Sequence, residues 1–349
     1  MKRILLISGA YISAVIGAGF ASGSEIILFF LQYGKWSFCG ILLSSVMFGL
    51  FASVLLSGCL RRGVHSFSQY TQALMGRRLS LLLQGILAVF MLIILGAMCA
   101  ASGEMAELLF HFPGRWGALL LCLITFLMLL CPERRLMDLS GIIGAFIIAA
   151  LLFSCWYMVR FRFHEAIKQL TPMAVSAVSY TCYNFLSSAV LLCEFSHFLK
   201  SRREAAAVGI LSGGALFLML LGLWVILGIF YKKVPLGEIP MLTLARRYPP
   251  AFAYGYGIVL FLSIVTTASA NGFGFMKTAL SSLPRPLAAM YIAALALMIS
   301  GIGFSSIIDK LYRLCGYCAL LLPICMLKDT VFSKNTDNKR ILKKNREID

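Results

Sequence analysis

Charged residues are scarce in this chain. Only 13% of its 349 residues are Asp, Glu, Lys or Arg, and 60% are hydrophobic, whereas about 25% of the residues in a soluble domain are charged. This deficit excludes an ordinary soluble protein and predicts an integral membrane protein with short loops. A chain of this length has no room for a large soluble domain beside a bundle of ten membrane helices.

The side chains that most enzymes use for acid–base chemistry or metal binding are also few, with 4 His and 14 Asp and Glu. All four histidines fall between apolar runs or at their ends. The sequence contains no Ser/His/Asp set, no metal-ligand cluster and no Walker loop. We therefore expect neither an enzymatic activity nor a cofactor.

Acidic residues are outnumbered by 31 Lys and Arg. Such an excess can indicate a nucleic-acid partner, but here the basic residues lie between apolar runs, as the positive-inside rule requires. No basic and aromatic stretch resembles a nucleic-acid surface. We expect the lipid bilayer and a small-molecule substrate as partners, with no nucleic acid, and the sequence leaves the oligomeric state open.

Apolar runs dominate the rest of the chain, and ten of them are long enough to be membrane spans. They cover residues 4–33, 36–60, 80–110, 115–131, 139–159, 173–198, 205–231, 250–280, 286–304 and 307–331. An even number of spans places both termini on one side. Because the segments on that side hold most of the basic residues, we expect both termini to be cytoplasmic.

Two of these runs have polar centres. In the first span the centre is Gly17 to Ser24, and in the sixth it is Ser179 to Ser188. Each is followed by a carboxylate, Glu25 in the first and Glu194 in the second. Interrupted helices at matching positions of two inverted halves are typical of the binding site of a secondary transporter. We therefore predict helix breaks at both centres.

The same spacing predicts the domain organisation. Residues 1–168 form a first five-helix repeat, residues 169–332 form a second, inverted repeat, and residues 333–349 form a disordered, basic cytoplasmic tail. The predicted fold class is an all-α integral membrane protein with ten helices, of which helices 1 and 6 are discontinuous.

The glycine-rich centre of the first span is the leading candidate for a binding site. A break there leaves backbone N–H groups free at the start of the outer half-helix, where they attract a carboxylate. The alternative is a seam of small residues for close helix packing. The candidate substrate-binding residues of this segment are Gly17, Ala18, Gly19, Phe20, Ser22 and Glu25.

Glu25 is unusual because an ionisable side chain in hydrocarbon is costly and is therefore a functional candidate. It could line the outer vestibule, contact an amino group of the solute or take up a proton. In the sixth span, Tyr180, Tyr183 and Asn184 offer rings, hydroxyls and an amide that suit an apolar group or a cation. Ordinary helix packing with a polar kink is the alternative for these three residues.

Three hydroxyl residues of the eighth span share one helix face. Ser263, Thr266 and Thr267 occupy positions i, i+3 and i+4, so their oxygens can converge on a cation. The alternative is that each hydroxyl bonds back to a carbonyl of its own helix.

The opening stretch GAYISAVIGAGFASGSE, with SYTCYN and TTASANGFG further along, resembles the YkvI-type family of bacterial membrane proteins, which are relatives of the amino acid–polyamine–organocation superfamily. The resemblance implies the 5+5 inverted-repeat (LeuT-like) fold and a bacterial cytoplasmic (inner) membrane location. In sodium-coupled relatives an ion lies between the first-span break and the eighth span. Carried over here, the sodium ligands are Ser13, Ile16, Ser263, Thr266 and Thr267.

The expected function is secondary active transport of a small zwitterionic or amine solute, amino-acid-like, with sodium as the coupling ion and alternating access. Proton-driven relatives often have a lysine in the fifth span, and residues 139–159 contain none. Proton coupling remains an alternative. A non-transporting receptor subunit of the same fold, like a germinant receptor, is a second one.

Overall fold

The fold is described from a computed structural model, which covers residues 1–159, 171–230, 237–307, 316 and 318–329. The boundary predicted between residues 168 and 169, the tail predicted at residues 333–349 and much of the tenth predicted span lie outside the described residues. Helices form nearly all of the described part.

Six helices are long and apolar enough to cross a membrane by length and composition. They are α4 (Ser37–Arg62), α6 (Arg77–Phe110), α8 (Glu133–Val159), α9 (Thr171–Phe195), α10 (Arg202–Phe230) and α12 (Pro250–Ala279). Two shorter apolar helices, α7 (Gly114–Leu130) and α13 (Arg285–Ser300), follow α6 and α12. The short helices α5 (Phe67–Met75), α11 (Pro240–Ala245) and α14 (Phe304–Ile307) connect them, and residues 321–329 are also helical.

Local sequence explains several of these boundaries. Proline occupies the first turn of α11, α12 and α13, where its missing N–H breaks no intrahelical hydrogen bond. Gly63 ends α4 in the left-handed conformation, at φ 64°, which glycine adopts without steric cost.

The first apolar run is not one helix. Helix α1 (Lys2–Val15) ends before Ile16 and Gly17, whose backbone is non-helical with ψ 79° and −170°. Beyond them lie two short helices, α2 (Ala18–Ser22) and α3 (Ser24–Phe29), joined by Gly23 at φ 84°. The sequence predicts a single outer half-helix here, whereas the structure has two, because Gly23 adopts the left-handed conformation.

The sixth run is one helix, so the break predicted at Ser179 to Ser188 is wrong. Helix α9 runs without interruption from Thr171 to Phe195. The hydroxyl of Thr181 donates to the Ala177 carbonyl, and that of Ser188 donates to the Asn184 carbonyl, both within α9. Polar side chains that donate back to their own helix need no water or neighbour, so they do not require a break.

Glycines let α1 lie at the centre of the bundle. A Cβ atom placed on Gly9 of α1 would come within 2.5 Å of the Gly141 carbonyl oxygen of α8, so the two backbones touch. Helices α9, α10 and α12 also pack against α1. Large apolar side chains such as Ile210 and Met298, 74% and 77% exposed, cover the outside of the bundle, as a surface facing lipid requires. The ten-span count and the inverted repeat remain predictions.

Candidate functional site

The interruption after α1 lies against two threonines of α12. The Thr267 hydroxyl is 3.0 Å from the Ser13 carbonyl oxygen and 3.1 Å from that of Ile16. The Thr266 hydroxyl is 3.3 Å from the same Ser13 oxygen. The last carbonyls of a helix lack intrahelical donors, so the end of α1 presents these oxygens to α12.

The five residues predicted to hold sodium therefore form one buried cluster. The carbonyl of Ser263 accepts from the Thr266 hydroxyl at 3.1 Å, whereas the Ser263 hydroxyl donates to Val259 at 2.9 Å. The cluster thus offers three carbonyl oxygens and two hydroxyls. Carbonyls of unwound backbone coordinate sodium in transporters, and this set of oxygens fits that ion chemically.

A second cluster lies on the other side of the interruption, around Glu25. The Glu25 side chain is only 3% exposed and lies so close to Gly19 that a Cβ atom there would be 2.7 Å from the carboxyl carbon. Tyr183 and Asn184 of α9 lie close to the same carboxyl group. The structure thus brings four predicted substrate-binding residues together.

A cluster of aromatic rings surrounds Tyr180, which lies close to this carboxyl group. Tyr180 lies 5.8 Å from Tyr183, 5.4 Å from Phe29, 5.0 Å from Phe30 and 5.9 Å from Phe48, measured between ring centroids. These five rings are buried. A buried aromatic wall beside a carboxylate suits a ligand that has both apolar surface and positive charge.

Two proteins of Bacillus subtilis are similar to this chain over most of its length. No protein-family model matches the chain. The uncharacterized protein YyaD of Bacillus subtilis is 26% identical over 346 residues, covering 96% of this chain and 98% of YyaD. The uncharacterized membrane protein YkvI of the same organism is 28% identical over 322 residues, covering 89% of this chain and 91% of YkvI. The chain is thus similar to YyaD and YkvI over most of its length.

Solved structures establish the fold of this chain. Mhp1, a nucleobase-cation-symport-1 family transporter, superposes with a TM-score of 0.67 at 12% identity, covering 92% of this chain and 76% of Mhp1. A manganese transporter of Eremococcus coleocola superposes with a TM-score of 0.59 at 16% identity, covering 92% of this chain and 78% of the transporter. A Na⁺-coupled sialic acid symporter superposes with a TM-score of 0.57 at 15% identity, covering 92% of this chain and 78% of the symporter. The fold is LeuT-like, and all three proteins are transporters rather than enzymes.

Other residues predicted to bind the substrate have different surroundings. The Ser22 hydroxyl donates to the Gly19 carbonyl and lies 2.9 Å from the Ser24 hydroxyl, so it belongs to the turn between α2 and α3. The N–H of Ala18 points to the Met98 sulfur at 3.4 Å. Gly17 is in contact range of Thr267, since a Cβ atom on it would lie 3.1 Å from the Thr267 methyl carbon. Phe20 is fully buried.

Several residues at this site were not predicted from the sequence. The Tyr256 hydroxyl donates to the Ala21 carbonyl at 2.5 Å and holds α2 against α12. Tyr256 precedes Ser263 by seven residues, which places both on one helix face, and that spacing is a usable signal. Met98, Phe29, Phe30 and Phe48 carry no such signal, because each lies in an apolar run and reads as core.

Proposed function

We propose that this chain is a secondary active transporter of a small amine-bearing solute, coupled to sodium. The observation that carries the proposal is the convergence of Thr266 and Thr267 on the Ser13 carbonyl at the interruption of the first span. Those oxygens supply the cation site, and the Glu25 cluster supplies the solute site on the other side of the same interruption. The LeuT-like fold, which this chain shares with solved transporter structures, supports this assignment.

Coupling follows from this shared position. The carbonyls of Ser13 and Ile16 belong to the same interruption as Gly19, so an ion at the threonines fixes the backbone that also presents Gly19 and Glu25. A ligand that orders a site raises the affinity of a second ligand for it, and the effect is reciprocal. Sodium is therefore expected to tighten solute binding, and solute to tighten sodium binding.

Alternating access completes the mechanism. In the proposed topology, the chain crosses a bacterial inner membrane ten times and both termini lie in the cytoplasm. A bundle of spans one, two, six and seven rocks against the other spans, around a site close to the bilayer midplane. Every residue of both clusters is buried, so opening of the bundle toward either side of the membrane is needed to expose them.

Uptake by the purified full-length chain in proteoliposomes tests the proposal. An inward sodium gradient should drive accumulation of at least one solute from a panel of amino acids and amines, and a potassium gradient should not. If a pH gradient drives accumulation equally well in the absence of sodium, the coupling ion is the proton and not sodium. Solute binding without any uptake would favour the receptor alternative.

A further inference from the structure

The Glu25 carboxyl group has no cationic partner in the described part of the chain. The ion pairs found there involve Glu133, Glu194 and Asp329, and none reaches Glu25. Its oxygen Oε2 is fully buried and has no hydrogen-bond partner among the described residues. An ionised carboxylate buried in this way is strongly unfavourable unless a cation joins it.

The groups around Glu25 match the chemistry of an ammonium ion. The faces of aromatic rings attract cations, most strongly where water is excluded, and Tyr180, Tyr183 and Phe29 lie within 5.8 Å of one another. The Tyr180 hydroxyl is also buried without a hydrogen-bond partner among the described residues. A carboxylate oxygen and a phenol oxygen are therefore left to accept from a ligand that carries N–H donors.

The same geometry disfavours a ligand carboxylate. The Glu25 carboxyl group itself lies against Gly19, in the part of the interruption where the sequence predicts that a solute carboxylate binds. A second carboxylate there would be close to the first, and two buried like charges repel. A divalent metal ion is disfavoured as well, because no group of three or more His, Cys, Asp or Glu able to hold a metal occurs in the described part.

An acidic pocket next to the site supports a positively charged ligand. The pocket has a volume of about 330 Å³ and is lined by Glu104, Glu107 and Glu238, with Arg115 as the only basic residue among the described residues that line it. The Ser24 hydroxyl donates to the Glu238 carbonyl at 2.9 Å, so the pocket adjoins the turn that precedes Glu25. Carboxylates at the mouth of a site raise the local concentration of cations.

We propose that the solute is an organic cation, an amine whose ammonium group pairs with Glu25 inside the ring wall, and that it needs no carboxylate of its own. This inference rests on the proposed transport function and specifies its substrate class. Such a site differs from an amino-acid site, where the solute carries both the ammonium group and the carboxylate.

Matched compounds test the inference directly. The purified full-length chain is mixed, in sodium buffer, with phenethylamine, phenylalanine or 3-phenylpropionate, and with isoamylamine, leucine or 4-methylpentanoate. Thermal unfolding reports binding, because a ligand specific for the folded form raises its melting temperature. We expect each amine to bind at least tenfold more tightly than its amino acid, and the acids to produce no shift. Equal or tighter binding of the amino acids, or no shift with any amine, would overturn the inference.

Variants connect the binding to its residues. Glu25→Gln should abolish the shift caused by amines while melting, without ligand, at or above the wild-type temperature, because it removes an unpaired buried charge. Asp138→Asn, which removes a carboxylate near the start of α8, should bind amines as the wild type does. As a second route, Tyr180→Phe, which keeps the ring and removes only the hydroxyl, should weaken amine binding less than Tyr180→Leu, which removes both and should weaken it at least tenfold. Retained amine binding in Glu25→Gln, or equal binding by the two Tyr180 variants, would overturn the inference, as would a shift caused by Mn²⁺ but not by amines.

The outcomes separate this inference from the proposed function. Amine binding that depends on Glu25 but not on sodium leaves the inference intact and removes sodium coupling. Sodium-dependent binding and uptake of an amino acid, with its amine inactive, supports the transporter and overturns the inference.

Discussion

Gly19 and Glu25 are in direct contact across the turn between α2 and α3: a Cβ atom placed on Gly19 would lie 2.7 Å from the carboxyl carbon of Glu25. The absence of a side chain at Gly19 therefore gives the Glu25 carboxyl group its place beside Tyr183 and Asn184. The two residues are six positions apart in a segment with two non-helical joints. The position of the Glu25 carboxyl group thus depends on the glycine at position 19.

Gly19→Ala tests this contact. The added methyl group must displace the Glu25 carboxyl group from Tyr183 and Asn184, so solute affinity should fall at least tenfold. Equilibrium binding of the solute found in the uptake panel measures the effect. Gly85→Ala is the matched control, because a Cβ atom there meets nothing within 4 Å. Alanine in a helix is favoured over glycine by about 0.5–1 kcal/mol, so the control should be at least as stable as the wild type. Unchanged affinity in Gly19→Ala would show that this contact does not position Glu25 for binding.

A cross-link between α10 and α8 tests the rocking motion. A Cβ atom on Gly222 of α10 would lie 3.1 Å from the Cβ atom of Cys155 in α8, close to the spacing of about 3.8 Å found in disulfides. In Gly222→Cys, a membrane-permeant oxidant should join the two helices and reduce uptake at least tenfold, and a reductant should restore it. These helices correspond to the seventh and fifth predicted spans, which move relative to each other in the proposed mechanism.

The wild type under the same oxidant is the control for this experiment. Its Cys59 and Cys193 sulfur atoms lie 3.7 Å apart, in α4 and α9, which the mechanism places in the same moving bundle. A cross-link there should leave uptake unchanged. Full uptake by the cross-linked Gly222→Cys protein would contradict the rocking mechanism.

An ion-pair network at the predicted cytoplasmic end suggests a third experiment. Lys277 at the end of α12 pairs with Glu133 at the start of α8, and with Glu194 of α9 at 3.4 Å. Lys277→Gln leaves two neighbouring carboxylates without their shared cation, so their repulsion should separate the helix ends. Cys193, adjacent to Glu194 and fully buried, should then react several-fold faster with a maleimide, as measured by mass spectrometry of its peptide.

Arg134→Gln provides the comparison for Lys277→Gln. Arg134 is an exposed residue of the same region, and its side chain forms no ion pair among the described residues. Its loss should leave the labelling rate of Cys193 unchanged. Equal labelling rates in the two variants would mean that the Lys277 network does not hold this end closed.

Local chemistry explains which features of the fold and site could be predicted from the sequence. The non-helical backbone at Ile16 and Gly17 lies where the glycines cluster, and the threonine spacing in α12 does place Thr266 and Thr267 on the face toward α1. Both features depend on residues close together in the chain. The break predicted in α9 is wrong because the hydroxyls of Ser and Thr in a helix can donate to carbonyls of that same helix. In the sequence, such residues cannot be distinguished from the residues of a polar binding site.

The aromatic wall could not be predicted for a different reason. Phe29 and Phe48 of this wall lie in separate apolar runs, and Phe90, whose ring is 6.0 Å from that of Tyr183, lies in a third. Each has the sequence signature of a core or lipid-facing residue. Only the packing of α3, α4 and α6 around α9 brings their rings to Tyr180 and Tyr183. The position of Tyr256 was accessible from its spacing to Ser263, but the hydrogen bond to Ala21 depends on the irregular backbone of the first span.

Binding of radioactive sodium to the purified chain tests the central claim most directly. Saturable binding is expected for the wild type, because Thr267 and the carbonyls of Ser13 and Ile16 converge. Thr267→Val, which keeps the shape and removes the hydroxyl, should weaken it at least tenfold. Thr125→Val, which removes a buried hydroxyl that has no partner among the described residues, should bind sodium as the wild type does. Absence of saturable sodium binding to the folded wild type, or wild-type affinity in Thr267→Val, would contradict the claim.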